Sequence, residues 1–407
     1  MPLNIVVVGA GVGGLAVAAS LARNGHKVTI YERARSTTDV GFAFRLMPNS
    51  DRCLKYLGID TVAGGAVAAN SMRMVNARGD IVAERTENED AEKARAGTSV
   101  FAFRPQVAEQ LVETAMKFGV EIKTGIKVES VDVEKTQLQL QDGTTVSADL
   151  VIGADGIKSV VQKQIFDTSK YHPKPSSGHN CIRFMLPTST VQSDPELSKL
   201  INDNYRMASW SGASKRILVY PVDYGRQYNF VCTHPEDLSD KAMVNHPDDL
   251  EKAVNYDYRV SLETALSIYS EFESRARRVF ELGDPDGFRF WKLQDLEEVP
   301  RWSVNRTVLL GDAAHAVLPF GFSGASMAIE DAIVLGELLP GDVSLGDIST
   351  RLTTYEESRK PRVRYVRDKS REIGQGLEDP RALGQYFQAL AEYNAVDVGK
   401  EALASCH

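Results

Sequence analysis

Residues 5–8 (Ile-Val-Val-Val) form a short, β-branched, wholly apolar run, as a strand buried on both faces requires. Gly-Ala-Gly-Val-Gly-Gly follows at 9–14. Small and apolar residues then dominate from 15 to 23 until Gly25 stops them, which predicts a turn followed by a helix. Residues 27–31 return to a strand that ends at Glu32. The opening is therefore βαβ. Its right-handed crossover makes the strands parallel, with the first turn at the carboxyl edge, where such sheets bind ligands.

Further along, the pattern predicts a helix over 49–57, strands within 71–85 and a charged surface excursion at 88–97. Pro105 starts a helix to 118 with Val107, Leu111, Ala115 and Phe118 on one face. Strands follow at 121–124, 128–134 and 137–140, with Asp142-Gly143 turning a hairpin. Residues 150–152 form another apolar strand, running into Gly153-Ala154-Asp155-Gly156. From 173 to 289 short strands, among them 182–186, 217–220 and 228–232, accompany one helical stretch at 260–276 and read as a separate mixed sheet. A buried strand resumes at 307–310 before Gly311-Asp312, residues 323–339 form a strongly apolar helix, and the tail from 366 holds helical pieces.

Composition adds mainly exclusions. A chain of 407 residues exceeds the ~250–300 at which one core stops growing, so two interleaved domains are expected. A hydrophobic fraction of 43% with 25% charged residues excludes intrinsic disorder. Forty-seven basic against 55 acidic residues, a net charge of −8, leave no basic cluster for nucleic acid. Cys53, Cys181, Cys232 and Cys406 are far apart and form no C-x-x-C pair, so no metal site or disulfide framework is expected, and reduced thiols fit a cytoplasmic protein. The apolar stretch 5–22 is broken by four glycines and preceded by no basic side chain, which disfavours a signal peptide or a membrane span.

Gly9-x-Gly11-x-x-Gly14 between a strand and a helix has a mechanical reading. Gly9 allows the tight turn, Gly11 lets backbone N–H groups reach a pyrophosphate, and Gly14 permits close helix packing. Glu32 lies 23 positions after Gly9, near the ~20-residue offset of an acid that accepts from ribose hydroxyls. An acid there disfavours a 2′-phosphate, so the pattern points to FAD or NAD rather than NADP.

Gly153-Ala154-Asp155-Gly156-x-x-Ser159 and Gly311-Asp312-Ala313-Ala314-His315 each follow an apolar strand, the latter leading to Pro319 and Ile329-Glu330-Asp331-Ala332. With Arg104 ahead of an amphipathic helix, these motifs resemble the single-component FAD-dependent aromatic hydroxylases of the 4-hydroxybenzoate and salicylate hydroxylase type. The resemblance implies an α/β fold: a Rossmann-type FAD-binding domain (1–70, 100–172 and 290–365) interleaved with a mixed-sheet substrate domain (71–99 and 173–289), plus C-terminal helices (366–407). It implies non-covalent FAD held by Gly9, Gly11, Gly14, Glu32, Arg33, Arg45, Arg104, Asp155, Gly156, Gly311, Asp312, Gly324 and Ala325. It further implies NAD(P)H as co-substrate and a flavin hydroperoxide, formed with O2, that hydroxylates a small electron-rich aromatic, with or without decarboxylation. Arg183, Tyr220 and Pro319 are the catalytic candidates, in a monomer or homodimer that contacts no membrane.

Several assignments stay open at this level. Arg183 could face substrate or flavin, or form a structural ion pair. Tyr220 could orient a phenol or pack in the core, and Arg45 could bind FAD or a substrate carboxylate. His315 suits a structural or flavin-adjacent role better than that of a general base. The family's usual Gly-Gln-Gly is Phe322-Ser323-Gly324 here, and Gln162 stands where an arginine commonly closes the second fingerprint. Epoxidation or dearomatising hydroxylation is an alternative outcome. A halogenase or oxidase of related fold lacks its W-x-W-x-I-P signature here, because Trp210, Trp291 and Trp302 stand alone. A non-catalytic flavin-binding regulator is the remaining rival.

Overall fold

The expected opening unit is present as β1 (Asn4–Val8), α1 (Val12–Arg23) and β2 (Lys27–Glu32). The computed structural model describes residues 2–37, 41–86, 99–202, 207–243, 258–376 and 380–406, so the charged excursion expected at 88–97 lies outside the described residues. β1 sits inside a six-stranded sheet between β2 and strand Leu150–Gly153, which in turn pairs with Thr307–Leu309. These four strands are mutually parallel, and the pairings Val8↔Gly153 and Gly153↔Leu309 make three of them end level. The loops after β1, after Gly153 and after Leu309 therefore leave one edge side by side. That edge follows from the apolar strand runs, because only strands covered on both faces can be apolar throughout.

A second sheet of seven strands follows the order Arg289–Lys292, His179–Pro187, Gln227–Pro235, Arg216–Val222, Met207–Ser211, Ser71–Asn76 and Ile81–Thr86. Its pairings are antiparallel except Met207–Ser211 with Ser71–Asn76, where the 71–86 hairpin joins from far earlier in the chain. Phe184 and Phe230 stack at 4.6 Å across neighbouring strands, with Phe280 and Phe288 packed on Phe184 from outside the sheet. The single helix expected over 260–276 is in fact two, Leu262–Ile268 and Ser274–Glu281. Tyr269 and Phe272 enter the core between them, Lys215 Nζ donates to the Ile268 carbonyl at 2.6 Å, and Glu273 N–H donates to Ala77 O at 2.9 Å. Apolar spacing continues through the break, so periodicity alone could not reveal it.

A small sheet of Ala43–Leu46, Val100–Phe103 and Val67–Ala68 has its strands interleaved in sequence with those of the two larger sheets. Helix Ile348–Gly374 runs for 27 residues, so the domain boundary expected between 365 and 366 falls inside one continuous element. Helices Pro380–Glu392 and Ala395–Ala404 complete the C-terminal part. Among the described residues, no helix is long and apolar enough to cross a membrane.

A buried ion network fastens the long helix to the first sheet. Asp331, on helix Gly324–Leu338, accepts from Gly311 N–H at 3.0 Å, lies 2.6 Å from His315 Nε2 and pairs with Arg359 Nε at 2.7 Å. Arg359 also meets Glu330 at 2.8 Å and donates to the Tyr393 hydroxyl at 2.6 Å. Glu330 in turn pairs with Arg362 at 3.0 Å and accepts from Asn49 Nδ2 at 2.5 Å. Burial works against a charged Asp331, yet His315 and Arg359 hold its carboxyl down at about 2. Asp331→Asn should therefore lower stability by ~3–5 kcal/mol at neutral pH, because it leaves Arg359 buried with one anion fewer. The Asp331 carboxylate contributes fully above its unfolded value near ~4 and is lost as pH falls toward about 2. Urea titrations at pH 7 and pH 3 should show the gap between variant and parent narrowing at the lower pH.

Candidate active site

At the shared sheet edge the glycine loop rests directly on the second fingerprint. Gly9 has φ +101°, and a Cβ there would come 2.6 Å from the Ala154 carbonyl oxygen. Ala154 N–H donates to Val8 O at 2.8 Å and Leu310 N–H to Gly153 O at 2.9 Å, so the three loops are stitched in sequence. α1 has no side-chain cap at its N-terminus, and its first described turn bond is Leu15 N–H to Gly11 O at 2.9 Å. The amides of Val12, Gly13 and Gly14 thus lack intrahelical acceptors and could seat a phosphate. A Cβ on Gly11 would meet nothing within 4 Å, which leaves room for a ligand to approach the backbone. Glu32 stands beside this loop, its two oxygens accepting from Ala10 N–H at 2.7 Å and Ala34 N–H at 2.8 Å, with Arg33 exposed next to it.

Asp155 accepts from Val160 N–H at 2.7 Å while its other carboxylate oxygen is buried without a partner among the described residues. Burial pushes its pKa up, opposed by Ser159 and by backbone amides. Gly156, the next residue, has φ +79°. Asp312 heads the one-turn helix Asp312–His315 after Gly311, whose φ is +61°. It is exposed, yet desolvation by the surrounding protein pushes its pKa up, with His315 and Arg104 opposing. Arg104 lies against Gly41, where a Cβ would come within 2.7 Å of Arg104 Cδ, and its own N–H donates to Phe42 O at 3.0 Å. Gln162 is buried and donates to Ala313 O at 2.5 Å, tying the second fingerprint to the third without a charge.

The loop after His315 is held from the C-terminal side. Pro319, exposed, starts the turn Pro319–Gly321, and Phe322 follows at φ +55°. Ser323 donates to Gly321 O at 2.7 Å and shares a 2.9 Å hydrogen bond with the Tyr386 hydroxyl. Ser370 donates to Leu318 O at 2.6 Å and accepts from Gly321 N–H at 3.2 Å. In helix Gly324–Leu338 the first bond is Met327 N–H to Ser323 O at 2.8 Å, so the amides of half-buried Gly324 and Ala325 present the helix's positive end. Ser370 and Tyr386 were missed in the sequence, where nothing marks a hydroxyl in a motif-free tail. His315 is spent on Asp331, as its adjacency to the buried network requires.

Between the second sheet and the C-terminal helices lies a cavity of about 1000 Å³ whose walls include Arg45, Phe101, Met207, Phe320, Phe322 and Phe387. Arg45 Nε donates to Ser99 Oγ at 2.9 Å, and its guanidinium lies 5.8 Å from both the Phe322 and Phe387 rings. Arg183 and Tyr220 are not in these walls. They converge instead on the carbonyl of Ala43, the Tyr220 hydroxyl at 3.2 Å and Arg183 Nη2 at 2.5 Å. The Arg183 guanidinium lies 5.0 Å from the Phe42 ring and 5.5 Å from the Trp291 ring, which meet each other edge-on at 5.0 Å. Its Nε and the Nδ2 of nearby Asn229 are buried donors without acceptors among the described residues. Burial pushes the Tyr220 hydroxyl up to about 12 despite the Arg183 charge, so it is a donor and not a base at neutral pH. Among the described residues, no group of three or more His, Cys, Asp or Glu side chains could hold a metal ion.

Comparison with known proteins places these features in a context. The family model described as FAD binding domain matches residues 3–370. The chain is 28% identical to hispidin-3-hydroxylase of Neonothopanus nambi, over 91% of this chain and 88% of that protein. It is 30% identical to 3-hydroxybenzoate 6-hydroxylase of Klebsiella oxytoca, over 91% of this chain and 88% of that protein. Its fold matches the crystal structure of CtdE in complex with FAD and a substrate at a TM-score of 0.83 and 18% identity, covering 99% and 98% of the two chains. The open space over Gly11, the uncapped start of α1 and the exposed Asp312 are what an FAD would need from this edge.

The two inner glycines separate folding from cofactor binding. A Cβ on Gly14 would collide with the Gly9 carbonyl, whereas one on Gly11 meets nothing. Gly14→Ala should destabilise the apoprotein by ~1–3 kcal/mol. Gly11→Ala should leave apoprotein melting unchanged within ~0.5 kcal/mol while weakening FAD by ~1–3 kcal/mol. Thermal melts of apoprotein and FAD titrations monitored by flavin fluorescence measure the two effects separately.

Proposed function

Because this chain belongs to the FAD-binding-domain family and is an FAD-dependent monooxygenase, we propose that it hydroxylates an electron-rich aromatic substrate, phenolic or acidic, using O2 and NAD(P)H. The observation that carries this reading is the junction of three fingerprint loops at one sheet edge, connected through the Phe322 loop to a cavity rich in aromatic walls. Bound FAD supplies the hydride acceptor and the oxygen-activating group.

The residues divide the remaining work. The amides of α1 and the Glu32 carboxylate take the pyrophosphate and ribose, and Arg104 and Asp312 take the middle of the cofactor. Arg33, Arg45, Asp155 and Gly156 complete the cofactor-binding assignment. The amides of Gly324 and Ala325, at a helix N-terminus, stabilise negative charge placed before them, and Gly311 lets the loop turn toward it. Pro319 covers that position and helps to exclude water. Arg183, with an unfilled Nε, offers positive charge near substrate or cofactor, while Tyr220 donates but does not abstract a proton. Arg45, in the cavity wall, is the other cation able to meet a substrate anion.

The proposal for Arg183 has a direct test. Arg183→Ala should retain FAD but lose most product formed per NAD(P)H consumed, with peroxide released instead. Arg183→Lys, which keeps the charge but loses the planar contact, should be intermediate. Product, peroxide and flavin occupancy are measured together. Unchanged coupling in the alanine variant would reduce Arg183 to holding the Ala43 carbonyl, and would pass the anion-binding role to Arg45.

A further inference from the structure

Phe322 occupies a backbone that suits glycine. It closes the turn Pro319–Gly321 at φ +55° and ψ +29°, in the left-handed region, where a Cβ crowds the neighbouring carbonyl. The glycine of this turn stands one residue earlier, at 321, where any side chain would run into the Tyr386 hydroxyl. The turn therefore uses its glycine for a packing contact and carries a bulky ring at the left-handed site. A residue kept against its backbone preference is held by its surroundings, and such positions concentrate at ligand sites.

Packing within the chain does not account for the ring. Phe322 is half-buried in the cavity wall, and it touches the apolar cluster of Ala43, Phe101, Met207 and Tyr220 without being enclosed by it. Its centroid lies 6.4 Å from that of Phe387 and 5.8 Å from the Arg45 guanidinium, both near the outer limit of such contacts. Rings that serve packing sit closer, as Phe101 does on Tyr220 at 4.4 Å and Phe184 on Phe230 at 4.6 Å. The frame of the ring is nevertheless fixed, because Ser323 and Gly321 on either side of it are bonded to Tyr386 and Ser370. Two residues further on, Gly324 begins the helix whose N-terminal amides are assigned to the cofactor. The ring thus borders both that terminus and the cluster around Ala43, whose carbonyl receives Arg183 and Tyr220.

We propose that Phe322 is a specificity-determining residue: its ring is the face on which the aromatic ring of the substrate lies when it meets the cofactor. This rests on the aromatic-hydroxylase reading above and adds to it the residue that recognises aromaticity. A second ring, offset or edge-on, gains the quadrupole contact that Phe387 and Arg45 are too distant to supply in full. A saturated ring of the same outline meets the same apolar surface without that contact.

The test uses the FAD-loaded enzyme and follows the flavin absorbance during titration with matched pairs: phenol and cyclohexanol, 3-hydroxybenzoate and 3-hydroxycyclohexanecarboxylate, 2-naphthol and decahydro-2-naphthol. The parent should bind the aromatic member of at least one pair more tightly. Phe322→Leu, which keeps apolar bulk, should lower that aromatic-to-saturated ratio by ~2- to 10-fold through the aromatic member alone, whereas Phe322→Tyr should keep the parent's ratio. Phe322→Gly should lower the ratio likewise, and its FAD-free form should melt no lower than that of Phe322→Leu, because glycine accepts this backbone. Equal binding within every pair by the parent, or an unchanged ratio in either the leucine or the glycine variant, overturns the inference and leaves the aromatic-hydroxylase reading standing. If none of the three phenols perturbs the retained flavin, that reading falls and the inference falls with it.

Discussion

The carboxylate of Asp331 joins parts of the chain that are remote in sequence: the Gly311 loop at the sheet edge, the helix that follows Phe322, and the long C-terminal helix carrying Arg359. It is fully buried, and isolated in such a place it would be neutral. It stays charged because the Arg359 guanidinium, the His315 ring and one amide converge on it. Asp312 is placed by the same contact, since the amide that Asp331 holds belongs to the preceding residue. The position of an exposed carboxyl group at the sheet edge is therefore set by a buried charge behind it.

Burying ions contributes little net stability, because the desolvation cost offsets most of the attraction. Its stronger effect here is on specificity. Arg359 fits only where Glu330, Asp331 and the Tyr393 hydroxyl are all in reach, which fixes the rotation of one helix on the other and the seat of the tail. With helix Gly324–Leu338 fixed below and Ser370 and Tyr386 bonded from the tail side, the loop between is restrained at both ends. Phe322 can then keep a left-handed backbone that a bulky side chain disfavours. That conformation keeps its ring in the cavity wall.

The geometry of the glycine edge was legible in the sequence because its requirements are backbone requirements. Gly14 is forced by the Gly9 carbonyl within the same βαβ unit and Gly9 by its own φ of +101°, so short spacing encodes both, although the Ala154 carbonyl that also crowds Gly9 comes from far along the chain. Strand endings were legible too, since uniformly apolar runs mark a doubly covered sheet. The helix break at 269–273 was not, because it depends on Lys215 and Ala77, which flank strands distant in sequence. The cavity was not legible either. Its walls come from at least four separated segments, and an alternating strand residue such as Met207 or Arg216 reads the same whether its face meets a core or a void. Arg183 illustrates the limit: a cation in mid-strand stands out in the sequence, but its bond to Ala43 O could be known only from the fold.

The departures at Gln162 and Ser323 have a common physical logic. Each is a neutral side chain, buried and bonded to a nearby backbone carbonyl, Ala313 O for Gln162 and Gly321 O for Ser323. Gln162 satisfies Ala313 O without introducing a charge that would need its own counter-ion. Ser323 is short enough to admit the Tyr386 hydroxyl, which itself reaches Gly321 O at 3.2 Å. A Cβ on Gly321 would run into that hydroxyl, so Gly321, Ser323 and Tyr386 form one packed unit. An amide at 323 would compete for the space Tyr386 fills. Ser323 and the helix carrying Tyr386 are therefore coupled, so substitutions at the two positions are expected to be non-additive.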